Sequence, residues 1–426
     1  MKIRTYGNFN LAVIGGGMAG FAASLEASRR GAHVILIEHN AFPGGVATAS
    51  LCPNIMGYSF NGRQIVSGIA DELVRELDKI GCAAIKHKEA NEFPIGNAAI
   101  TSSVVTTKSA LQYVMNNMLD KAKVHTLYYT SLVNARENDN KIKYICCNCR
   151  EGVIRINASY FIDASGDAIL LHRAGAETRE YACEKSMAKT LLLHLGGVRN
   201  FCRTTVKESY VRACEKNGPP VPGQDNFMGF SIPFHENEVH LNFTMTAGEA
   251  LTSSACTIMD KELRRQAFHG AEWFKKYIPG FEKSYIVDIA DSIGVRCARG
   301  IVGRETITLK DITAENPVKE PLVFSNCYYG DHYVKNFHAP WRNNKSMIRP
   351  VPFGALVPVR LENVIAAGRC ISSEPEVVTS FRLMATCMAT GQAAGMAACF
   401  APAKAVQNIR YSELEPELKR TGVLLL

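Results

Sequence analysis

The sequence predicts an α/β protein in which one doubly wound domain, built from both ends of the chain, is interrupted by a smaller α+β unit. Three observations predict it. The N-terminus reads strand, glycine turn, helix, strand, the order of a parallel βαβ unit. Near the C-terminus a short apolar strand again runs through a glycine into a long helix. Between these ends the pattern mixes helices with isolated extended stretches. The doubly wound domain is expected at 1–175 and 346–426, and the inserted unit at 176–345.

The elements follow from periodicity. Leu11–Ile14 is a short apolar strand. Met18–Arg30 carries Met18, Phe21, Ala22 and Leu25 at helical spacing, and Gly31 ends the helix. His33–Glu38 is a buried strand ending in an acid. Helical spacing returns at Gln64–Ile80 and Ser109–Lys123, and strands are expected at Thr126–Arg136, Lys141–Cys147 and Ile154–Ala164. In the insert, Thr204–Lys216 and Asp260–Tyr277 read as helices, and Glu238–Met245 and Tyr285–Ile289 as extended. Asn363–Ala367 reads as a strand, and the chain is strongly helical from Ser380 to Phe400.

Composition bounds what such a fold does. With 47% hydrophobic and 21% charged residues in 426, the chain has enough apolar surface for two or three folded domains, which excludes a disordered or collagen-like protein. No apolar run approaches the roughly 20 residues of a membrane span, and the first residues have no secretory h-region, so a cytoplasmic protein without a membrane partner is expected. Fourteen scattered cysteines agree with a reducing compartment. The net charge of +8 leans toward anionic ligands, but no run of like charges concentrates it, so no nucleic-acid partner is expected.

The first glycine turn carries the most chemistry. Gly15-Gly16-Gly17-Met18-Ala19-Gly20 is a G-x-G-x-x-G that opens a helix directly after a strand. Gly15 permits a tight turn, Gly17 lets backbone approach a pyrophosphate, and Gly20 lets the helix pack on the sheet. The helix N-terminus offers N–H groups and a positive dipole end to phosphates. Glu38 follows at the end of the second strand, where a carboxylate accepts hydrogen bonds from ribose hydroxyls. Three further segments recur in order: the glycine pair Gly44-Gly45 with Thr48, the strand end Asp163-Ala164-Ser165-Gly166-Asp167, and Ala367-Gly368-Arg369 before the C-terminal helix.

These four segments, with the wording NVIAAGRCISSEPE (Asn363–Glu376) and SFRLMATCMATGQAAGMAA (Ser380–Ala398), resemble the FAD-dependent oxidoreductase family of the glutathione-reductase-like superfamily, and more distantly the fumarate reductase flavoproteins. The resemblance implies a Rossmann-like FAD-binding domain, discontinuous in sequence, capped by an α+β substrate domain. Gly44-Gly45 resembles the second glycine turn of such flavoproteins, with Thr48 near the flavin ring. Ala164–Asp167 resembles their "ATG" turn. The resemblance further implies cofactor contacts at Met18, Ala19, His39, Val133, Gly166, Asp167, Gly368, Arg369, Leu383 and Met384. The C-terminal helix is then expected to aim its N-terminus, near Thr379–Met384, at the flavin pyrimidine. No histidine stands between Gly45 and Ala49 for a covalent link, so FAD is expected to bind non-covalently.

The function expected is hydride exchange between a small polar or anionic substrate and the flavin. The segment Gly294–Glu305 is similar to an arginine-rich strand of the family, and candidates for the reacting end are Arg296, Arg299, His332, His338 and Arg382. Arg299, His338 and Arg382 are the residues expected to act on substrate. Two alternatives stay open at this point: a flavin subunit passing electrons to a protein partner, and an RNA-modifying flavoprotein. Cys52 lacks a partner five residues earlier, where Ala47 stands, so dithiol exchange is not expected. Cys146, Cys147 and Cys149 form a C-C-x-C group without a fourth thiolate. Neither an iron–sulfur cluster nor another metal is therefore expected. The sequence does not state an oligomeric state.

Overall fold

The structure, a computed structural model, describes residues 3–60, 62–83, 91–95, 99–181, 187–223, 228–232, 235–313, 318–327, 347–401 and 404–423. β1 (Arg4–Ile14) lies at the centre of the main sheet. Leu11 and Val13 face one core, while Phe9, Ala12 and Ile14 face another. A strand buried on both faces needs a layer on each side. α1 (Met18–Arg29) covers the first face with Phe21, Ala22 and Leu25, and Gly31 ends it at φ +89°. β2 (Val34–Ile37) then returns parallel to β1, with Leu11 opposite Val34 and Ile14 opposite Ile37.

β3 (Asn54–Phe60) pairs antiparallel with Ala99–Val105 in a separate four-stranded sheet that no periodicity announces. Asn54, Gly57 and Ser59 interrupt its apolar residues, so no period shows. The helix expected over Gln64–Ile80 is shorter. Arg63–Gln64 pairs with β3, Gly68 turns at φ +67°, and α2 (Ile69–Lys79) starts only after it. α3 (Lys108–Lys121) begins at Thr107, whose hydroxyl accepts from Ala110 N at 3.2 Å.

The strand expected at Thr126–Arg136 is two strands. β4 (His125–Leu127) pairs parallel with β2, and β5 (Ser131–Asn138) starts an antiparallel ribbon with β6 (Lys141–Cys149). The chain breaks between them because it leaves a parallel ladder for an antiparallel one. Tyr129 takes φ +53°, and Tyr129 N and Thr130 N donate to Asn40 O and Glu38 O, both at 3.0 Å. β7 (Gly152–Asp163) is twelve residues long and has two partners on one side. Its first residues pair antiparallel with β6, and its last three pair parallel with the C-terminal strand described below. On its other side it runs parallel to β1.

Beyond β7 the chain builds a third core from α4 (Arg203–Asn217), β8 (His235–Asn242) and α5 (Ser253–Tyr277). α5 starts seven residues earlier than its periodicity suggests (260 − 253 = 7), because Thr252 caps it through Ala255 N. Tyr210, Trp273 and Phe274 form its centre, with ring centroids 5.3–5.6 Å apart. β9 (Arg299–Ile301) then pairs antiparallel with Thr178–Glu180. β10 (Val364–Ala366) completes the main sheet beside the end of β7.

The parallel strands therefore run β4-β2-β1-β7-β10. The chain leaves β1 in one direction and returns through β7 on the other side, which makes the β1/β7 junction a topological switch point. Ligands of such sheets bind at the carboxyl ends of the strands there. The loops after Ile14, Ile37, Asp163 and Ala366 all lie at that edge.

The expected helix from Ser380 also divides. Val378–Phe381 is a separate turn, Leu383 is extended (φ −59°, ψ 140°), and α6 (Met384–Phe400) starts after a bend of 86°. Among the described residues no single helix is long and apolar enough to cross a membrane. The bent pair passes on length and composition, but α6 is buried. Its small residues have a specific partner. A Cβ on Gly391 would lie 2.0 Å from Ala19 O, and one on Gly395 2.4 Å from Ala23 O. Two residues four apart on α6 thus meet two residues four apart on α1, backbone to backbone. Gln392 locks the pair: its Nε2 donates to Glu26 Oε2 at 2.8 Å, and its Oε1 accepts from Ile69 N at 2.9 Å.

Gly391→Ala tests this contact, because propensity and packing oppose each other. Alanine favours a helix interior by about 1 kcal/mol, whereas forcing extra volume into a packed contact costs about 1–3 kcal/mol. The expected outcome is a lower urea midpoint at unchanged m-value. An equal or higher midpoint would show that the helices tolerate separation.

Candidate flavin site

A cavity of about 1320 Å³ opens at the carboxyl edge of the main sheet. Its floor is the first glycine turn. Gly15 has φ +99°, and a Cβ there would lie 2.5 Å from Ala164 O, so the turn touches the end of β7 directly. A Cβ on Gly20 would lie 1.8 Å from Gly15 O, which is why α1 can start so close to the strand. Gly17 caps α1 with no side-chain acceptor, leaving its first N–H groups without intrahelical carbonyls. A Cβ on Gly17 would meet only Gly45 Cα, at 3.9 Å, although the residue lines the cavity. This bare backbone at a helix N-terminus fits a pyrophosphate.

The second glycine turn lies against the first. Gly17 and Gly44 form a parallel bridge, and Gly44 N donates to Gly16 O at 2.8 Å. Thr48 has a different place from the one expected: it is fully buried, and its hydroxyl donates to Pro43 O at 2.8 Å. It holds the turn and does not line the cavity.

Glu38 is only 3% exposed, yet charged. Its Oε2 accepts from Gly16 N at 2.6 Å, and its Oε1 accepts from Asn40 N and Asn40 Nδ2, each at 2.8 Å. Burial works against ionisation, but His39 at 3.0 Å and these N–H donors outweigh it and hold the carboxyl below its usual range. Glu38 in turn holds the His39 imidazole above its ordinary value. Oε2 retains a second acceptor position that suits a ribose hydroxyl.

The other walls carry most of the remaining expected residues. Met18, Ala19, His39, Gly45, Ala164, Gly166, Asp167, Gly368, Leu383 and Met384 line the cavity. Arg369 lines it too, clasped to Asp167 by two hydrogen bonds of 2.5 and 2.8 Å. Asp163, fully buried at the end of β7, accepts from Ser165 N, Ser165 Oγ and Leu171 N and so fixes the turn that presents Asp167. Val133 is 40% exposed and does not line the cavity; Leu132 does. The ladder slips between Leu132 and Asn134, so Val133 is the extra residue of a β-bulge and points elsewhere.

Of the residues expected to act on substrate, Arg382 lines the cavity at the break before α6, beside Leu383. Arg299 does not. It lies on β9 in a neighbouring cavity of about 530 Å³ with His172 and Arg173, and its Nη2 donates to Glu180 Oε1 at 3.0 Å. His332 and His338 fall outside the described residues. Asn54 and Met56 on β3, Thr190 and Asn242 in the middle segment, and Arg203 and Lys207 on α4 also line the cavity, and no motif in the sequence marks them. The amphipathic pattern of α4 announces a helix but not what its polar face meets.

The thiols at the site are neutral. Cys52 is raised by burial, although Arg296 and Arg382 act against that, and burial pushes Cys387 up to about 12. Cys146, Cys147 and Cys149 are separated by the pleat of β6: Cys147 and Cys149 pack against the second core, and Cys146 is on the opposite face. Among the described residues no group of three metal-ligating side chains comes together.

The sequence from residue 10 to 418 matches the family model for FAD dependent oxidoreductase. The chain belongs to this family. FAD is accordingly its cofactor, and the glycine cradle, the α1 N-terminus and Glu38 are the groups that fit its phosphates and ribose. No curated protein sequence matches the chain. Two solved structures share the fold: a geranylgeranyl bacteriochlorophyll reductase-like protein from Thermoplasma acidophilum (11% identity, 97% of this chain and 83% of that one, TM-score 0.52) and BexE, studied for oxidation during BE-7585A biosynthesis (12% identity, 98% and 68%, TM-score 0.52).

The oxidoreductase is expected to weaken its hold on FAD when Glu38 loses its charge. Glu38→Gln removes charge-assisted hydrogen bonds worth about 1.5–3 kcal/mol, or roughly 10–150-fold in dissociation constant. A depressed carboxyl stabilises the folded site above its unfolded value of about 4.3 and loses that contribution as pH falls through the depressed value. Wild type should therefore show an acid step in FAD retention below about pH 4 that the variant lacks. A fluorescence titration of released FAD against pH reads both, and identical curves would mean that Glu38 is not a ligand.

Proposed function

We propose that this oxidoreductase exchanges a hydride between FAD and a small polar or anionic organic substrate, with FAD held non-covalently and the middle segment acting as a cap. The observation that carries this reading is a pair of cations on the same cavity: Arg296 and Arg382 line it together with the glycine turns, and both act on the Cys52 thiol. When bound, FAD supplies two-electron chemistry at its ring. The chain supplies binding and orientation. A guanidinium pairs a carboxylate through two parallel hydrogen bonds, which fixes both position and rotation. Arg296 is itself held by Nη1 donating to Ala188 O at 2.5 Å. Arg382 takes its position from the break between Val378–Phe381 and α6. Leu192, Ile293 and Leu383 give the same cavity apolar surface that excludes water.

The test is anaerobic mixing of the holoprotein with pools of small metabolites, sorted into carboxylates, phosphates and neutral compounds. Loss of the yellow absorbance in a carboxylate pool, and release of all flavin into the supernatant on acid precipitation, are the expected results. Bleaching by neutral pools alone, or flavin retained in the pellet, would contradict the reading.

A further inference from the structure

Arg299 carries a charge that the cofactor cavity does not use. It lies on β9 directly opposite Glu180 and borders the second cavity, of about 530 Å³. Its side chain is only 10% exposed, and a cation buried to that extent ordinarily has partners for its N–H groups. A guanidinium presents five of them. Among the described residues only Nη2 has a partner, the Glu180 carboxylate at 3.0 Å, and that carboxylate is itself 59% exposed and outside the cavity. A cross-strand pair of this kind accounts for Nη2 alone. Nε has neither a partner nor accessible surface, so no ligand reaches it. Nη1 has no partner either, but it is not closed off from solvent, and the cavity is the space that Arg299 borders.

The other charges leave this cavity positive. Arg173 ends the short helix Ile169–Arg173, is exposed, and makes no ion pair among the described residues. It lines the cavity with the imidazole of His172. Asp167 is the one carboxylate on the wall among the described residues, and two hydrogen bonds from Arg369 already engage it. Glu249, which precedes Ala250, accepts from Leu251 N at 2.5 Å and from Thr252 Oγ1 at 3.2 Å, so it caps its own loop. Ala250 and Leu251 add apolar surface. We propose that this cavity binds a small organic oxyanion, a carboxylate or a phosphate monoester, whose oxygens accept from Nη1 of Arg299 and from Arg173. Asp167 and Ile169 line the cofactor cavity as well, so the two sites share that part of their wall. The assignment stands apart from the substrate of the cofactor cavity.

Calorimetric titration of the holoprotein with sodium butyrate and with methyl phosphate, each against sodium chloride at equal ionic strength, tests this. At least one of the two anions should bind beyond chloride, and which one binds decides between carboxylate and phosphate. Arg299→Leu should weaken that binding by about tenfold or more, as expected for a lost charge-assisted hydrogen bond. Glu180→Gln keeps Arg299 in place and removes only the carboxylate that competes for it. It should tighten the same binding by roughly two- to fivefold, the range of an exposed ion pair, whereas a merely structural pair would leave it unchanged. Arg382→Leu, in the cofactor cavity, should bind the anion as wild type does. The proposal is overturned if neither anion binds beyond chloride, or if Glu180→Gln binds no tighter than wild type. It is also overturned if the anion binds Arg299→Leu with wild-type affinity but is lost from Arg382→Leu, which would place it in the cofactor cavity. Should Arg299→Leu fail to fold, Arg173→Leu takes its place, with the same loss expected and wild-type affinity contradicting the site.

Discussion

The site depends on one constraint: two backbone turns must touch at a place where no side chain fits. Gly17 bridges Gly44, and Gly15 lies against the carbonyl of Ala164. These contacts bring three chain segments, remote in sequence, to the carboxyl edge of the β1/β7 junction. They also expose the first N–H groups of α1 to the cavity. Glu38 reinforces the arrangement by accepting from Gly16 N, so the carboxylate expected to bind ribose also holds the turn that faces phosphate. The contacts expected to recognise the cofactor are thus the ones that fold the turn.

α1 transmits that constraint to the other end of the cavity. Its flank receives α6 at backbone distance through Gly391 and Gly395, and Gln392 joins α6 to Glu26 of α1 and to the start of α2. Because α6 is pinned in this way, the break before Met384 is pinned too, and with it Arg382 and Leu383. The small residues of α6 therefore have a packing reason that holds whatever its N-terminus faces. Gln392 is bound to Glu26, which is itself bound to Arg30 at 2.6 Å. A buried polar chain of this kind favours one register between the helices.

Much of this was legible in the sequence where a residue type has only one physical use. Gly15, Gly17, Gly20 and Glu38 state a strand-turn-helix-strand unit by their spacing, and all four meet at one turn. The helices α3, α4 and α5 follow from their periodicity to within a few residues, except where the Thr252 cap lengthens α5. What was not legible depends on tertiary partners. β3 and its sheet have no clean period because Asn54, Gly57 and Ser59 interrupt the apolar residues of the strand. The division at Tyr129 comes from exchanging a parallel for an antiparallel partner. Val133 was displaced by a bulge, and Thr48 turned inward to Pro43, since a hydroxyl in a tight turn finds a carbonyl before it finds a ligand. Arg299 follows the sheet register of β9 toward Glu180, which its sequence neighbourhood does not announce.

The central claim, that the bare backbone of the first glycine turn is where the dinucleotide lies, is tested most directly at Gly17. This residue has φ −66° and ψ −176°, open to any amino acid, and a Cβ on it meets nothing in the protein closer than 3.9 Å. Gly17→Ala should therefore leave the melting temperature of the FAD-free protein unchanged. Its methyl group would occupy the space the pyrophosphate needs, at a cost of about 1–3 kcal/mol. FAD affinity should then fall by about tenfold or more. A variant that melts like wild type and binds FAD with wild-type affinity would contradict the account.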